Sequence, residues 1–285
     1  MVLARPQLFN VVLDTGSADL WVADSSCTTG CDASTPLYNA DQSSSNTADT
    51  QQVRITYGSG EVTGAVGSET VSMGDFQVQN QPFSERSPLI LCLPALLTAR
   101  YSLVQANRIS SGLVDNTLSG IMGLAFKAIA STGATPFWEA LSNGGQLQTK
   151  EMSFWLNRLS DDGSAPDVAF GGIFTLGGTN TSLFSGDVEF INMPGSEPSF
   201  WLLSLTGPSK SVCFIFSQDS LMLLVDITVQ GNSISIATGS SAISAIDTGT
   251  TLIGGPSAQV QAIWNAVPGA QELGSEMPGF WSFRQ

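Results

Sequence analysis

Phe9-Asn10-Val11-Val12-Leu13-Asp14-Thr15-Gly16-Ser17 runs an apolar, strand-like segment into Asp-Thr-Gly and then a hydroxyl residue. Ala242-Ile243-Ser244-Ala245-Ile246-Asp247-Thr248-Gly249-Thr250 repeats the pattern in the second half of the chain. At average residue usage a given tripeptide of this kind falls at on the order of one position in a few thousand. One copy alone reads as a turn, because Asp, Thr and Gly favour local side-chain-to-backbone bonds and positive φ. Two copies are another matter. Each follows an apolar strand, and each places a hydroxyl, Ser17 or Thr250, three residues after the aspartate. They read as a carboxylate dyad of Asp14 and Asp247, one from each half of a duplicated fold.

Composition narrows the chemistry. Histidine is absent, which removes Ser-His-Asp and Cys-His catalysis and the paired-histidine zinc site. A hydrolase built from this chain must move protons with carboxylates. The 24 acidic and 10 basic residues give a formal charge of −14, so nucleic acid is not an expected partner, since phosphate binding needs clustered Lys and Arg. The acidity suits work at low pH, where protonation relieves self-repulsion, and equally suits plain solubility. Hydrophobic residues make up 42%, charged ones 12%, with 29 Gly among short apolar runs; that balance points to an all-β chain. The 285 residues can build one large domain or two moderate lobes. Residues 1–6 hold no signal-length apolar region, and the longest apolar runs, 88–97 and 211–225, fall short of a membrane span.

Local patterns place further elements. Phe9 to Leu13 reads as a strand buried on both faces, with Leu20-Trp21-Val22 as a second buried piece. Val53, Ile55 and Tyr57 alternate with Arg54 and Thr56, the period of a half-buried strand. Gly58-Ser59-Gly60 supplies a turn and Val62 begins the return, a hairpin with Tyr57 near its tip. Ser119 to Phe126 reads as a strand and turn, Pro136 to Leu141 as a short helix with proline in its first turn. Ser153 to Leu159 and Val168 to Gly172 read as strands. Asn180-Thr181-Ser182 is a glycosylation sequon.

Taken together these residues resemble the pepsin-like aspartic proteases, most closely the secreted fungal, polyporopepsin-type members. The resemblance rests on Asp14-Thr15-Gly16-Ser17 with Leu20-Trp21-Val22, on Tyr57-Gly58-Ser59-Gly60, on Gly120-Ile121-Met122-Gly123-Leu124-Ala125-Phe126, on Phe170-Gly171-Gly172, and on Asp247-Thr248-Gly249-Thr250. It implies a bilobal all-β fold with lobes related by a pseudo-twofold. Residues 1–172 would form the first lobe, carrying the first aspartate and the flap, and 173–285 part of the second. The implied activity is peptide-bond hydrolysis at acid pH by a monomer acting on polypeptides, secreted or vacuolar, without cofactor, metal, nucleic acid or membrane.

Aspartic proteases are the standing example of two carboxylates about 3 Å apart that cannot both ionise and therefore share a proton. Gly16 and Gly249 would let the backbone turn tightly and aim N–H groups at Asp14 and Asp247. Ser17 and Thr250 are placed to hydrogen-bond the outer oxygens. By resemblance, Thr15 and Thr248 reach across to the opposite loop, Tyr57, Gly58 and Ser59 form the flap over bound peptide, and Trp21 packs beneath the tyrosine. Cys27 and Cys31 share a polar loop where zinc would lack a second ligand pair; the family carries a small disulfide at this place.

Two segments depart from the family pattern. Residues 84–104, which include Cys92, and residues 207–225, which include Cys213, interrupt what should be continuous strands. Retained intron sequence is the favoured reading over true loops, because apolar runs rich in Leu and Cys make poor exposed loops. Gly123 lies 109 positions after Asp14, yet only 38 residues follow Asp247, so the second lobe is expected to lack its equivalent of Ile121-Met122-Gly123 and its closing strands. The first is expected to lack strands before Arg5. The competing reading is an inactive pepsin-like fragment or peptide-binding protein. A carboxylate-pair glycosidase would also need two acids, but it explains neither the repeat nor the hairpin.

Overall fold

Short β-branched and aromatic runs separated by Gly, Ser and Asp give strands rather than helices. The computed structural model describes residues 6–78, 102–114, 117–157, 170–190, 192–195, 197–205, 215–217, 228–234, 239–275 and 277–283. Most of residues 84–104, residues 207–214 and 218–225, and with them Cys92 and Cys213, lie outside the described residues, as do Arg158, Leu159, Val168 and Ala169. The chain forms two compact units. The first comprises the chain up to Gln148, Glu197–Phe200 and Asp247–Gly249; the second comprises Thr149–Ser196, Trp201–Ile246 and the chain from Thr250.

In the first unit the strands are β1 (Val11–Asp14), β2 (Leu20–Ala23), β3 (Thr47–Tyr57), β4 (Gly60–Ser68), β5 (Val71–Met73), β6 (Phe76–Val78), β7 (Ser102–Ile109) and β8 (Gly120–Gly123), followed by helix α1 (Phe137–Asn143). Six of them form one sheet in the order β1-β8-β2-β7-β4-β3, and β5 pairs with β6. Its core gathers Trp21, Val53, Ile55, Val62, Val66, Val104, Ile109 and Ile121. β3 and β4 pair antiparallel from Thr47↔Ser68 to Tyr57↔Gly60, so the hairpin forms as the alternation predicts: Val53 and Ile55 are buried, Arg54 and Thr56 exposed. Helix α1 begins after Pro136, and its Trp138 Nε1–H donates to the Ala125 carbonyl at 2.9 Å.

Three expectations shift. β1 stands at the edge of the sheet among the described residues, and Val11, Val12 and Leu13 are half-buried rather than covered on both faces. Ser102, Leu103 and Val104, counted with the odd segment, belong to β7 and pair with β4. Leu103 and Val104 are core residues, because the strand runs between β2 and β4 and has neighbours on either side. Of the strand expected at 168–172, Phe170 and Gly171 are irregular and Gly172 opens a strand, while Val168 and Ala169 lie outside the described residues.

The second unit contains β9 (Glu151–Leu156), β10 (Gly172–Leu176), β11 (Leu202–Leu205), β12 (Ile215–Ser217), β13 (Thr228–Val229), β14 (Asn232–Ser233), β15 (Gly239–Ala245), helix α2 (Ser257–Asn265), β16 (Gln271–Glu272) and β17 (Trp281–Ser282). β9 lies between β10 and β12, and β11 pairs with β15, which leads into the second Asp-Thr-Gly. With two α-helices among many strands in the described residues, the chain is of the all-β class. No helix among the described residues is long and apolar enough to cross a membrane.

Candidate active site

β1 delivers Asp14 at its end, beside Gly123 of the parallel β8. Residues 14–19 then turn back toward β2. Three N–H groups at the end of β8 and just past it hold that turn: Gly123 donates to the Asp19 carbonyl (2.9 Å), Leu124 to that of Asp14 (2.7 Å) and Ala125 to that of Ser17 (2.8 Å). Asp14 is 5% exposed and Thr15 fully buried. Gly16 N–H donates to Asp14 Oδ1 at 2.8 Å, and the Ser17 hydroxyl donates to Oδ2 at 2.5 Å.

The second loop repeats the local bond, with Gly249 N–H donating to Asp247 Oδ1 at 2.8 Å. Residues Asp247–Gly249 belong to the same unit as Asp14, and the two threonines tie the loops together. Thr15 N–H donates to Thr248 Oγ1 (3.1 Å), and Thr248 N–H donates to Thr15 Oγ1 (2.9 Å). The Thr248 hydroxyl continues to the Leu13 carbonyl at 2.6 Å. Thr250 follows as an exposed residue.

Both glycines sit in turns that aim their N–H groups at the aspartates, as expected, without taking a positive φ. They also matter for room. A Cβ on Gly16 would sit 2.4 Å from Asp247 Oδ2, and one on Gly249 would sit 2.4 Å from Asp14 Oδ1 and 3.3 Å from Asp247 Oδ1. Only a residue without a side chain fits either place. The same distances bring the Asp14 and Asp247 carboxyls close enough for one water to touch both.

Electrostatics follow from that proximity. Burial pushes the Asp14 carboxyl up to about 6; hydrogen bonds from Ser17 and the Gly16 N–H pull it down, and neighbouring Asp247 pushes it up again. A carboxyl poised there can hold a proton in mild acid and release it nearer neutrality.

Tyr57 ends β3 beside the exposed Gly58 and Ser59 of the turn. Fully buried Trp21 donates its Nε1–H to Tyr57 Oη at 2.9 Å. Burial raises the Tyr57 phenol above its ordinary value, against the pull of hydrogen bonds with Trp21 and Ser17; Asp14 adds to the rise. The phenol therefore stays protonated, with Trp21 donating to it, while Ser17 donates to Asp14. Cys27 and Cys31 form a disulfide with Cα atoms 6.3 Å apart, packed against the sheet core.

Among the buried carboxylates that escaped the sequence reading are Asp19 and Glu69. Asp19 accepts from Ser131 N–H (2.7 Å), Thr132 N–H (3.1 Å) and the Thr132 hydroxyl (2.6 Å), fastening the first loop to a segment more than a hundred residues away. Glu69 accepts from the hydroxyls of Tyr38 (2.6 Å), Ser43 (2.6 Å) and Ser45, and from Thr70 N–H (2.8 Å). Burial pushes Glu69 up, but these donors outweigh it and hold the carboxyl below its usual range.

A family model described as "Eukaryotic aspartyl protease" matches residues 3–91 and 93–277. The chain is 37% identical over 283 residues to "Major aspartyl peptidase 1" of Cryptococcus neoformans var. grubii, covering 98% of this chain and 50% of that protein. It is 30% identical over 273 residues to "Pepsin A" of Sus scrofa, 95% of this chain and 57% of that one. To "Aspartic proteinase" of Oryza sativa subsp. japonica it is 29% identical over 265 residues, 92% and 44%. The chain belongs to the eukaryotic aspartyl protease family. It spans about half the length of the curated relatives it matches.

Proposed function

We propose that this chain is an aspartic-type endopeptidase that hydrolyses polypeptides at acid pH through a water held between Asp14 and Asp247. One observation carries the reading: two Asp-Thr-Gly loops 233 positions apart interlock through Thr15 and Thr248, with each glycine making room for the opposite aspartate. The dyad titrates as a pair. Its ionised member takes a proton from the water as the oxygen attacks the peptide carbonyl carbon. Its protonated member hydrogen-bonds the carbonyl oxygen, and the leaving nitrogen gains a proton as the C–N bond breaks. Thr15, Gly16, Ser17, Thr248, Gly249 and Thr250 hold the loops. Tyr57, Gly58 and Ser59 close over the substrate, with Trp21 beneath them.

The division into 1–172 and 173–285 is our reading of the repeat as two lobes, and monomeric action our reading of the family. We place the protein outside the cell or in the vacuole; the Cys27–Cys31 bond favours an oxidising compartment. The test is hydrolysis of denatured protein at acid pH by the purified chain. Pepstatin-type transition-state mimics should block it, while chelators and serine- or cysteine-directed reagents should not. Hydrolysis that a chelator stops and pepstatin leaves untouched would overturn the assignment.

A further inference from the structure

We propose that Asn180 is an N-glycosylation acceptor whose side chain the local fold already sets for the transfer. Asn180-Thr181-Ser182 is the one Asn-x-Ser/Thr in the 285 residues, the pattern that N-linked transfer requires. The residues form an Asx turn. Asn180 has extended backbone (φ −90°, ψ 96°) and precedes the single 3₁₀ turn Thr181–Leu183. Its Oδ1 accepts from Ser182 N–H at 3.1 Å and from the Ser182 hydroxyl at 2.6 Å. Thr181, Ser182 and residues 185–187 are exposed, so a bulky sugar meets solvent rather than the sheet.

The chemistry explains why both contacts matter. An amide nitrogen is a poor nucleophile because its lone pair is delocalised into the carbonyl. When Nδ2 loses a proton, negative charge builds on Oδ1, and two donors there stabilise it. Nδ2 then forms a bond to the anomeric carbon of a lipid-diphosphate-linked oligosaccharide. The bond from that carbon to the diphosphate oxygen breaks, the diphosphate leaves with the electron pair, and the Nδ2 proton passes to a base of the transferase. Nothing is oxidised or reduced. Because every contact spans at most two residues, the turn can form before the rest of the chain folds.

This inference shares with the proposed function only the secretory setting, which the following test supplies independently of hydrolysis. The chain, fused to a cleavable secretory leader, is translated in the presence of microsomes, and the protease-protected product is treated with an N-glycan amidase. We expect one amidase-sensitive shift, the size of a single core oligosaccharide, with Asn180 converted to Asp in the released peptide. Asn180→Gln and Ser182→Ala should abolish it, whereas Ser182→Thr and Thr181→Ala should keep it. A protected wild-type chain without the shift, or a shift that survives Asn180→Gln or Ser182→Ala, overturns the proposal.

Discussion

The two Asp-Thr-Gly loops share one local device and differ in what surrounds it. In both, the N–H two residues on donates to the aspartate Oδ1 at 2.8 Å. The first loop is also clasped by its own sheet, through the backbone of residues 123–125, and Asp14 is buried. The second is anchored to the first, through Thr248 on Thr15 and Leu13, and Asp247 is half-buried. The local bond comes with the tripeptide; the clasp comes from residues far along the chain. Identical motifs can thus carry carboxyls of different character. The experiments below test how far that difference reaches into chemistry.

Catalysis should be the property least sensitive to it, since general acid–base work needs both members of the pair. Asp14→Asn and Asp247→Asn should each lower kcat by at least roughly 10²–10⁴-fold, measured on an unfolded protein substrate at acid pH. If one variant kept most of its activity, the chemistry would rest on a single carboxylate and the dyad would be wrong.

Stability should tell the two aspartates apart. Asp14 rises from 3.8 to about 6 on folding, so the native state holds its proton more tightly than the unfolded chain does. This contribution is fully present below about pH 4, falls as pH rises through about 6 and is flat beyond. It amounts to about 3 kcal/mol at most, at roughly 1.4 kcal/mol per unit. Urea unfolding across that window should show the decline in the wild type and its loss in Asp14→Asn. Asp247→Asn should only lessen it, because burial outranks the neighbouring charge among the causes. Parallel curves for wild type and Asp14→Asn would show that the burial of Asp14 has no such consequence.

How much of this was legible beforehand follows the same division between local and distant. The pairing of the two Asp-Thr-Gly loops, the Tyr57 hairpin and the Thr15–Thr248 exchange were legible, the first two from repetition and period-two alternation, the third from family resemblance. Asp19 and Glu69 were not. Each looks like an ordinary acidic residue until Ser131 and Thr132, or Tyr38, Ser43 and Ser45, arrive from other parts of the chain. The edge position of β1 was hidden for the same reason: an apolar run tells that a strand is half-buried or better, but its neighbours decide which. Ser102 to Val104 were misassigned because an apolar run beside an unusual segment has no boundary of its own; pairing with β4 supplies one.

Threonine substitutions probe the anchor itself. Thr248→Val removes the acceptor for the fully buried Thr15 N–H and the donor to Leu13, so it should cost about 1–3 kcal/mol. Thr15→Val likewise removes the acceptor for the Thr248 N–H and should cost a comparable amount, about 1–3 kcal/mol. Thermal unfolding of both variants checks this directly. A cost below about 0.5 kcal/mol for Thr248→Val would mean that the second loop is not held through its threonine.

The smallest effect separates the two loops at a single hydroxyl. Ser17 donates to Asp14 Oδ2, and this bond favours the ionised carboxyl, opposing the burial that favours the neutral one. Removing the hydroxyl leaves burial less opposed, so in Ser17→Ala the Asp14 carboxyl should rise further. A dyad that needs one proton to work then keeps it to higher pH, and the falling limb of activity against pH should move upward. kcat on the acid side should change less than in either Asn variant, because both carboxyls remain. Ser17 also holds the Tyr57 phenol down, but the phenol titrates far above the working range and cannot produce the same displacement. A pH–rate profile of Ser17→Ala beside the wild type settles the sign. Movement of the limb toward lower pH would mean that the hydroxyl stabilises the protonated rather than the ionised dyad, reversing the role assigned to it in the first loop.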